Sequence, residues 1–169
     1  DCKVHIRKGF MKLEDFLSAI ETLSKKVNLT DVPMVMHFRI TTHGGTCPEN
    51  THPFPISDSF KMLTRTSLTT NIGVAHNGVI HSVIPRKGIS DTMEYIASQL
   101  APLSRALPTW YTNKDAIALV ENAIKSKLAV LDNKGRITLL GDFIESNGIS
   151  YSNRSFEPSY TRYKYSWNR

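Results

Sequence analysis

Hydrophobic and polar positions alternate in some segments of the chain and recur at helical spacing in others. Alternation between residues 3 and 8, with Val4 and Ile6 on one face, predicts a strand. Between residues 11 and 26, apolar residues recur every three or four positions and predict an amphipathic helix. The same two patterns predict further strands at 33–40, 72–80, 128–131, 136–140 and 149–152, and further helices at 91–100 and 114–127. Strands and helices are interspersed without a repeat, which favours an α+β fold over a doubly wound sheet.

Three of these segments carry more detailed expectations. Along 33–40, alternate residues from Met34 to Ile40 share an apolar face, so Arg39 projects from the opposite face near the carboxyl end. In the helix at 91–100, Asp91 is expected to cap the first turn, with Glu94 completing a capping box. The first helix is expected to carry one apolar stripe at helical spacing, made of Leu13, Phe16, Leu17, Ile20 and Leu23.

Composition adds a domain estimate and one basic segment. The chain has 169 residues, of which 40% are hydrophobic and 21% charged, so one globular domain is expected over residues 1–155. The net charge is +6, and residues 156–169 form a basic tail with interleaved aromatic residues. Such a tail suits stacking on bases and attraction to phosphates. We favour the ordinary interpretation, a solvated or interface-forming tail, so nucleic acid is not the expected partner.

Cysteine and histidine usage gives little sign of a metal or a disulfide framework. Two cysteines, Cys2 and Cys47, do not make a framework, and this favours a reducing cytoplasm. His43, Cys47 and His52 are close in sequence but lack a recognised metal-ligand spacing, so we expect neither a metal nor a cofactor. No apolar run approaches the roughly 20 residues that span a bilayer, and we expect no membrane association.

Polar residues beside glycine predict a pocket for a small charged substrate. Arg39 offers a planar fork suited to a carboxylate, and Thr42 and His43 add donors beside it. Asn77 and Gly78 offer a side-chain amide and a backbone N–H side by side, as in an oxyanion hole. Asp91, at a helix start, could accept an ammonium group. Together these groups suggest an amino-acid substrate with a reactive carbonyl.

Each group also has an ordinary structural explanation. Asn-Gly is a common hairpin turn, Asp91 could simply cap a helix, and Arg39 could lie on the surface. His76 and His81 could be satisfied structural histidines. The order and spacing of the groups, rather than any single residue, make the functional case.

The ordered segments HFRITTHGG, NTHPF, AHNGVI and SDT resemble the motifs of the class II glutamine amidotransferase family, within the N-terminal nucleophile hydrolases. The flanking segments KVHIRKGFMKLEDF and GISYSN are similar to those of small stand-alone members common in bacteriophage genomes. The resemblance covers about residues 3–155. It implies a four-layer sandwich, with two sheets between two layers of helices.

The resemblance also implies a reaction and a role for each matching residue. Glutamine would be hydrolysed to glutamate and ammonia through a thioester on an N-terminal cysteine, whose α-amine is the base. Arg39 would bind the α-carboxylate, and Asp91 would accept the α-ammonium group. Thr42 and His43 would line the carboxylate end of the site, and Asn77 and Gly78 would form the oxyanion hole.

The chain departs from the family at the nucleophile. Cys2 directly precedes a segment that resembles a later strand of the family, so we expect the nucleophilic cysteine on sequence upstream of residue 1. Cys2 and, less readily, Cys47 stay open as alternatives. Without this upstream segment a sheet edge would be exposed. It would be covered by an N-terminal segment, supplied in trans if necessary, or by a second copy of the chain. The ammonia would pass to a synthetase or transferase on another chain. A non-catalytic amino-acid-binding or host-interaction module is the alternative function.

Overall fold

The computed structural model describes residues 2–38 and 47–158. The strands are β1 (Val4–Arg7), β2 (Phe54–Pro55), β3 (Ser67–Thr70), β4 (Ile72–Asn77), β5 (Lys127–Asp132), β6 (Ile137–Leu140), β7 (Ile144–Ser146) and β8 (Ile149–Tyr151). The α-helices are α1 (Leu13–Ser24), α2 (Phe60–Leu63), α3 (Asp91–Tyr95), α4 (Ala101–Ala106) and α5 (Lys114–Ile124). A π-helical stretch, Ile96–Leu100, joins α3 to α4, and short 3₁₀ turns occur at Pro48–Asn50, Trp110–Thr112 and Arg154–Phe156.

The described strands pair antiparallel and confirm the α+β class. One sheet has the order β2-β4-β5-β6, while β1 pairs with β3 and β7 pairs with β8 as two-stranded ribbons. In the four-stranded sheet, Ile72 lies opposite Asp132 and Asn77 lies opposite Lys127. The two ends of β4 are therefore about 17 Å apart, at roughly 3.3 Å per residue. The four-layer stacking of the sandwich stays a prediction.

The main core lies between the four-stranded sheet and the helices α3 to α5. Apolar residues that are almost completely buried there come from both layers, and they are Phe54, Val74, Met93, Ile96, Leu100, Trp110, Ile124, Leu128, Val130 and Leu140. A smaller core under the β1–β3 ribbon contains Val4, Ile6 and Leu68. The central residues of β4 and β5 are buried on both faces of the sheet, and the half-buried Asn77 follows at the end of β4.

Lys8 connects the first ribbon to the loop that precedes β2. It is 5% exposed. Its ammonium group donates to the carbonyl oxygens of Leu63 (2.7 Å) and Glu49 (2.9 Å) and lies 3.8 Å from the centre of the Phe54 ring. Burial lowers the pKa of Lys8 to about 7, and the charge of Glu49 opposes this shift. The lysine thus fixes the chain just before the NTHPF motif.

Most predicted elements are confirmed, but the strand at 33–40 is wrong over the described residues 33–38. These residues form no strand, and Met36 and Phe38 are 49% and 69% exposed. Alternation alone does not make a strand, because a strand also needs a neighbour for its backbone hydrogen bonds. Residues 39 and 40 lie outside the described part. The strands β2, β3 and β7 were not predicted.

The helix beginning near residue 91 differs from its prediction at both ends. Ser90, not Asp91, is the N-cap, and its hydroxyl accepts the N–H of Met93 (3.2 Å). Glu94 forms no capping box and instead pairs with Arg86 (3.3 Å). Helical structure continues through Pro102 to residue 106, because the wide π turn before Pro102 accommodates a residue that has no N–H to donate.

Helix α1 is confirmed, and its apolar stripe is not buried. Its residues are all at least partly exposed, including Leu13 (61%) and Leu17 (54%). Phe16 contacts the rings of Phe10 and Phe38 edge-on, with centroid separations of 5.8 and 5.3 Å. Helical spacing predicts which residues share a face, but it does not supply the surface against which that face packs.

Candidate functional site

Thr92 is the point at which three of the sequence motifs meet. Its hydroxyl lies 3.0 Å from Nδ1 of His76, in the AHNGVI segment, and 3.3 Å from Nε2 of His52, in the NTHPF segment. Thr92 itself belongs to the SDT segment and is 1% exposed. The ring of His37, in the HFRITTHGG segment, lies 4.4 Å from that of His52. All four segments therefore contribute a side chain to one cluster.

Asp91 fastens the start of α3 to the loop after β4. Its carboxylate accepts the backbone N–H of Ile80 at 2.6 Å and that of Thr92 at 2.8 Å. The side chain is half-buried, and within 2–38 and 47–158 no lysine or arginine forms an ion pair with it. A carboxylate has about four acceptor positions, so Asp91 retains capacity for an ammonium group. Two residues predicted to act on one substrate, Asp91 and Asn77, are thus on connected segments.

Asn77 is the last residue of β4, and its side chain is hydrogen-bonded to the residue that follows β8. Its amide nitrogen donates to the hydroxyl of Ser152 at 2.6 Å. The carbonyl oxygen of Ser152 accepts from the ammonium group of Lys127 at 2.5 Å. Since a carboxamide has two N–H donors, one is available for a substrate oxygen. The GISYSN segment therefore supports the predicted oxyanion residue directly.

Gly78 follows at a position that only glycine suits. Its φ angle is +140°, and a Cβ atom placed there would lie 2.6 Å from Cβ of Ser126. Nε2 of His76 is 3.6 Å from the same position. The predicted hairpin explanation for Asn77-Gly78 is wrong, because β4 pairs with β2 and β5, neither of which follows it through a two-residue turn.

The remaining predicted substrate residues, Arg39, Thr42 and His43, lie outside the described residues. The described part of the chain stops at Phe38 and begins again at Cys47. Of the described candidates, the structure brings Asn77, Gly78 and Asp91 to one end of the four-stranded sheet. His81 is exposed and outside the cluster.

His76 and Ser126 resemble a base and nucleophile pair, but their surroundings exclude that role. Nε2 of His76 lies 2.7 Å from the hydroxyl of Ser126, and that hydroxyl donates to the carbonyl oxygen of Ile124 at 2.9 Å. His76 is 2% exposed. Burial lowers the pKa of His76 to about 4, which makes it a weak base. The structural interpretation of His76 is therefore the better one.

The depressed pKa of His76 predicts that acid destabilises the protein. The ordinary pKa of 6.5 applies to the unfolded chain, so the unfolded state binds the proton first as the pH falls below 6.5, and stability is lost towards pH 4. Asp91 opposes this shift and His37 adds to it. We expect the free energy of unfolding to fall by about 2 kcal/mol between pH 7 and 4.5 from this group.

Urea denaturation at both pH values, on wild type and His76→Gln, measures this component. The variant should lose less stability on acidification, because glutamine does not titrate. Equal losses in the two proteins would contradict the assignment.

The two cysteines differ in their relation to this end of the sheet. Cys2 precedes β1, in which Val4 pairs with Thr70, and Lys3 donates to Asn71 at 2.6 Å. Cys2 is exposed and lies towards the Ile72 end of β4, away from Asn77. Cys47 is half-buried, close enough to Lys8 for an electrostatic interaction. This geometry speaks against Cys2 as the nucleophile.

A separate cleft of about 520 Å³ opens at the Ile72 end of the sheet. Its polar lining includes Tyr111, Asp132, Lys134 and Arg136. Burial and the carboxylate of Asp132 raise the pKa of Tyr111. The sequence does not predict this cleft, because its residues come from the start of β4, from α4, and from the segments leading into α5 and β6, and they carry no recognisable motif.

The contribution of Ser126 was also missed, since nothing in its sequence context marks it. No three His, Cys, Asp or Glu side chains cluster as metal ligands within residues 2–38 and 47–158. In that part of the chain, no helix has the length and apolar character to cross a membrane. Comparison of the chain with protein-family models, with curated proteins and with solved structures found no match.

Proposed function

We propose that the chain is a glutamine amidotransferase-like domain that hydrolyses the side-chain amide of glutamine to glutamate and ammonia. The observation that carries the proposal is the meeting of all four motifs around Thr92 and His52. Their side chains, 15 to 40 residues apart in sequence, come together as the resemblance to the family leads us to expect. The proposal includes the four-layer sandwich and a cytoplasmic location.

The substrate is bound through the two charged groups on its α-carbon. Asp91, half-buried and with acceptor capacity left, receives the α-ammonium group. Arg39 binds the α-carboxylate through its planar fork, and Thr42 and His43 line that end. A charged residue for each charged group selects an α-amino acid over a simple amide.

The reaction takes place at the other end of the substrate. The nucleophilic cysteine lies on N-terminal sequence outside this chain, and its α-amine takes the thiol proton. The thiolate attacks the side-chain carbonyl carbon, and the oxygen becomes negative against the amide of Asn77 and the N–H of Gly78. The C–N bond breaks, ammonia leaves with the proton, and a thioester remains. Water then cleaves the thioester to give glutamate and the free thiol.

The ammonia is transferred to an acceptor bound by another chain or by a separate domain. A synthetase or transferase partner is consistent with the size of this domain, since residues 2–38 and 47–158 form one main core and one small one. An N-terminal segment that supplies the nucleophile, in trans if necessary, is part of the same proposal, and so is association with a second copy of the chain.

Calorimetric titration with L-glutamine tests the site whether or not the nucleophile is present. We expect wild type to bind and Asp91→Asn to bind at least about tenfold more weakly, because a charge-assisted hydrogen bond contributes about 1.5–3 kcal/mol. Asp142→Asn is the matched control, because Asp142 is exposed and belongs to none of the four motifs. Equal affinity in wild type and Asp91→Asn would refute the assignment of Asp91.

The same protein, assayed for release of glutamate and ammonia, separates the enzyme from a binding module. Equal amounts of both products support the enzyme. Binding without turnover in the native, full-length protein would instead select the non-catalytic amino-acid-binding module.

A further inference from the structure

Four side chains from four separate segments form a continuous hydrogen-bonded row. It runs from His52 to Thr92 (3.3 Å), from Thr92 to His76 (3.0 Å) and from His76 to Ser126 (2.7 Å). It ends at the carbonyl oxygen of Ile124, 2.9 Å from the Ser126 hydroxyl. We call these four side chains the His76 row. The proposed chemistry does not use it.

The bond from Ser126 to Ile124 fixes the direction of the His76–Ser126 bond, and with a neutral His76 the remaining directions follow. The carbonyl oxygen of Ile124 can only accept, so the single hydrogen of the Ser126 hydroxyl is committed to it. Nε2 of His76 must therefore donate to Ser126. A neutral imidazole has one N–H, which makes Nδ1 an acceptor and Thr92 its donor. The hydroxyl of Thr92 then accepts from Nε2 of His52.

One alternative arrangement also satisfies the contacts. If His76 were an imidazolium, both ring nitrogens would donate, and the hydroxyl of Thr92 would turn to Oδ1 of Asp91 at 3.4 Å. That contact is long for an O–H donor, whereas the contact to His76 is 3.0 Å. Burial also disfavours the charged ring, since His76 is 2% exposed and its pKa is lowered to about 4. The neutral arrangement is the better one.

The row is attached to the proposed oxyanion residues at two places. His76 directly precedes Asn77 on β4, so the orientation of its ring is coupled to the end of that strand. Ser126, which accepts from His76, is also the residue against which Gly78 packs, at 2.6 Å from an added Cβ. A shift of the row would therefore move Asn77 and Gly78 together.

We propose that His76 is a positioning residue, held as the Nε2–H tautomer by Thr92 and Ser126, and that the row sets the positions of Asn77 and Gly78. What those two residues are positioned for rests on the proposed function. That the row sets the positions of Asn77 and Gly78 does not depend on the proposed function.

Thr92→Val and Thr92→Ser form a matched pair for the test. Valine has nearly the shape of threonine but no hydroxyl, while serine keeps the hydroxyl. In ¹⁵N NMR of wild type at pH 7, we expect one protonated ring nitrogen of His76, Nε2, and an unprotonated Nδ1. In Thr92→Val, the Nδ1 resonance should move towards that of a nitrogen without a hydrogen bond, and the amide signals of Asn77 and Gly78 should shift. Thr92→Ser should keep all three near wild type.

Two results would overturn the inference. An imidazolium or an Nδ1–H tautomer in wild type at pH 7 refutes the direction of the row. Unchanged Asn77 and Gly78 signals in a folded Thr92→Val protein refute the positioning role. In glutamine turnover by the native protein, Thr92→Val should lower kcat by about tenfold to a hundredfold, and Thr92→Ser should restore it. Wild type that lacks turnover but shows the NMR pattern would count against the proposed function and in favour of the row.

Discussion

Replacing Asn77 with alanine is expected to lower kcat for glutamine hydrolysis by about 10²- to 10³-fold, with KM little changed. Removal of one oxyanion donor has this effect because its hydrogen bond strengthens as the carbonyl oxygen becomes negative. The structure supports a donor role, since Ser152 fixes the amide of Asn77 at 2.6 Å and occupies one N–H of two. Steady-state kinetics on the native protein with its nucleophile provides the measurement.

Two further variants separate this effect from general damage. Arg39→Ala should raise KM steeply, because the α-carboxylate is bound in the ground state and in the transition state alike. Asn133→Ala, in the cleft at the opposite end of the sheet, should leave both constants unchanged. If Asn77→Ala and Arg39→Ala both retain the wild-type rate of glutamine hydrolysis, the functional assignment is wrong.

Gly78→Ala is expected to reduce the free energy of unfolding by about 4 kcal/mol. A non-glycine residue in such a backbone conformation costs about 1–3 kcal/mol, and forcing atoms into a packed site costs a similar amount. Both terms apply, because φ is +140° and the new Cβ would lie 2.6 Å from Cβ of Ser126. Urea denaturation followed by circular dichroism measures the loss.

Gly148→Ala is the matched control for this prediction. Gly148 also has a positive φ angle, +75°, but nothing lies within 4 Å of an added Cβ. Only the backbone term remains, and we expect a loss of about 1 kcal/mol. Equal losses at the two positions would show that the contact between Gly78 and Ser126 does not exist as described.

The sequence predicts the secondary structure where periodicity and burial agree. The helix α5 and the strands β4, β5 and β6 were expected close to their observed bounds, because each supplies apolar residues to the main core. Residues 33–38 have equally good alternation and form no strand. The difference lies in the neighbours, which the local pattern does not contain.

In the candidate site, too, some residues could be predicted from the sequence and others could not. The family-like motifs identified Asn77, Gly78 and Asp91, and the structure places them on connected segments at one end of the sheet. The cap at Ser90 was misassigned to Asp91, because both residue types cap helices and only geometry distinguishes them. Ser126 could not have been predicted, since its contacts depend on how α5 leads into β5. Tertiary packing, not residue type, made it part of the row.

Periodicity did not predict that the apolar residues of α1, and of the turn before it, would be exposed. Met11, just before the helix, and Leu13 and Leu17 within it are between 47% and 61% exposed. The expectation that a further segment or a second copy associates with this domain stays a prediction.

We expect one amino acid to occupy the space between Asp91, Asn77 and Arg39. A crystal structure of the native protein with bound L-glutamate measures this directly. We expect the α-ammonium group at Asp91, the α-carboxylate at Arg39, and a side-chain carboxylate oxygen within hydrogen-bonding distance of the Asn77 amide and the Gly78 N–H. Glutamate bound elsewhere, or Arg39 on a surface remote from Asn77 and Asp91, would contradict it.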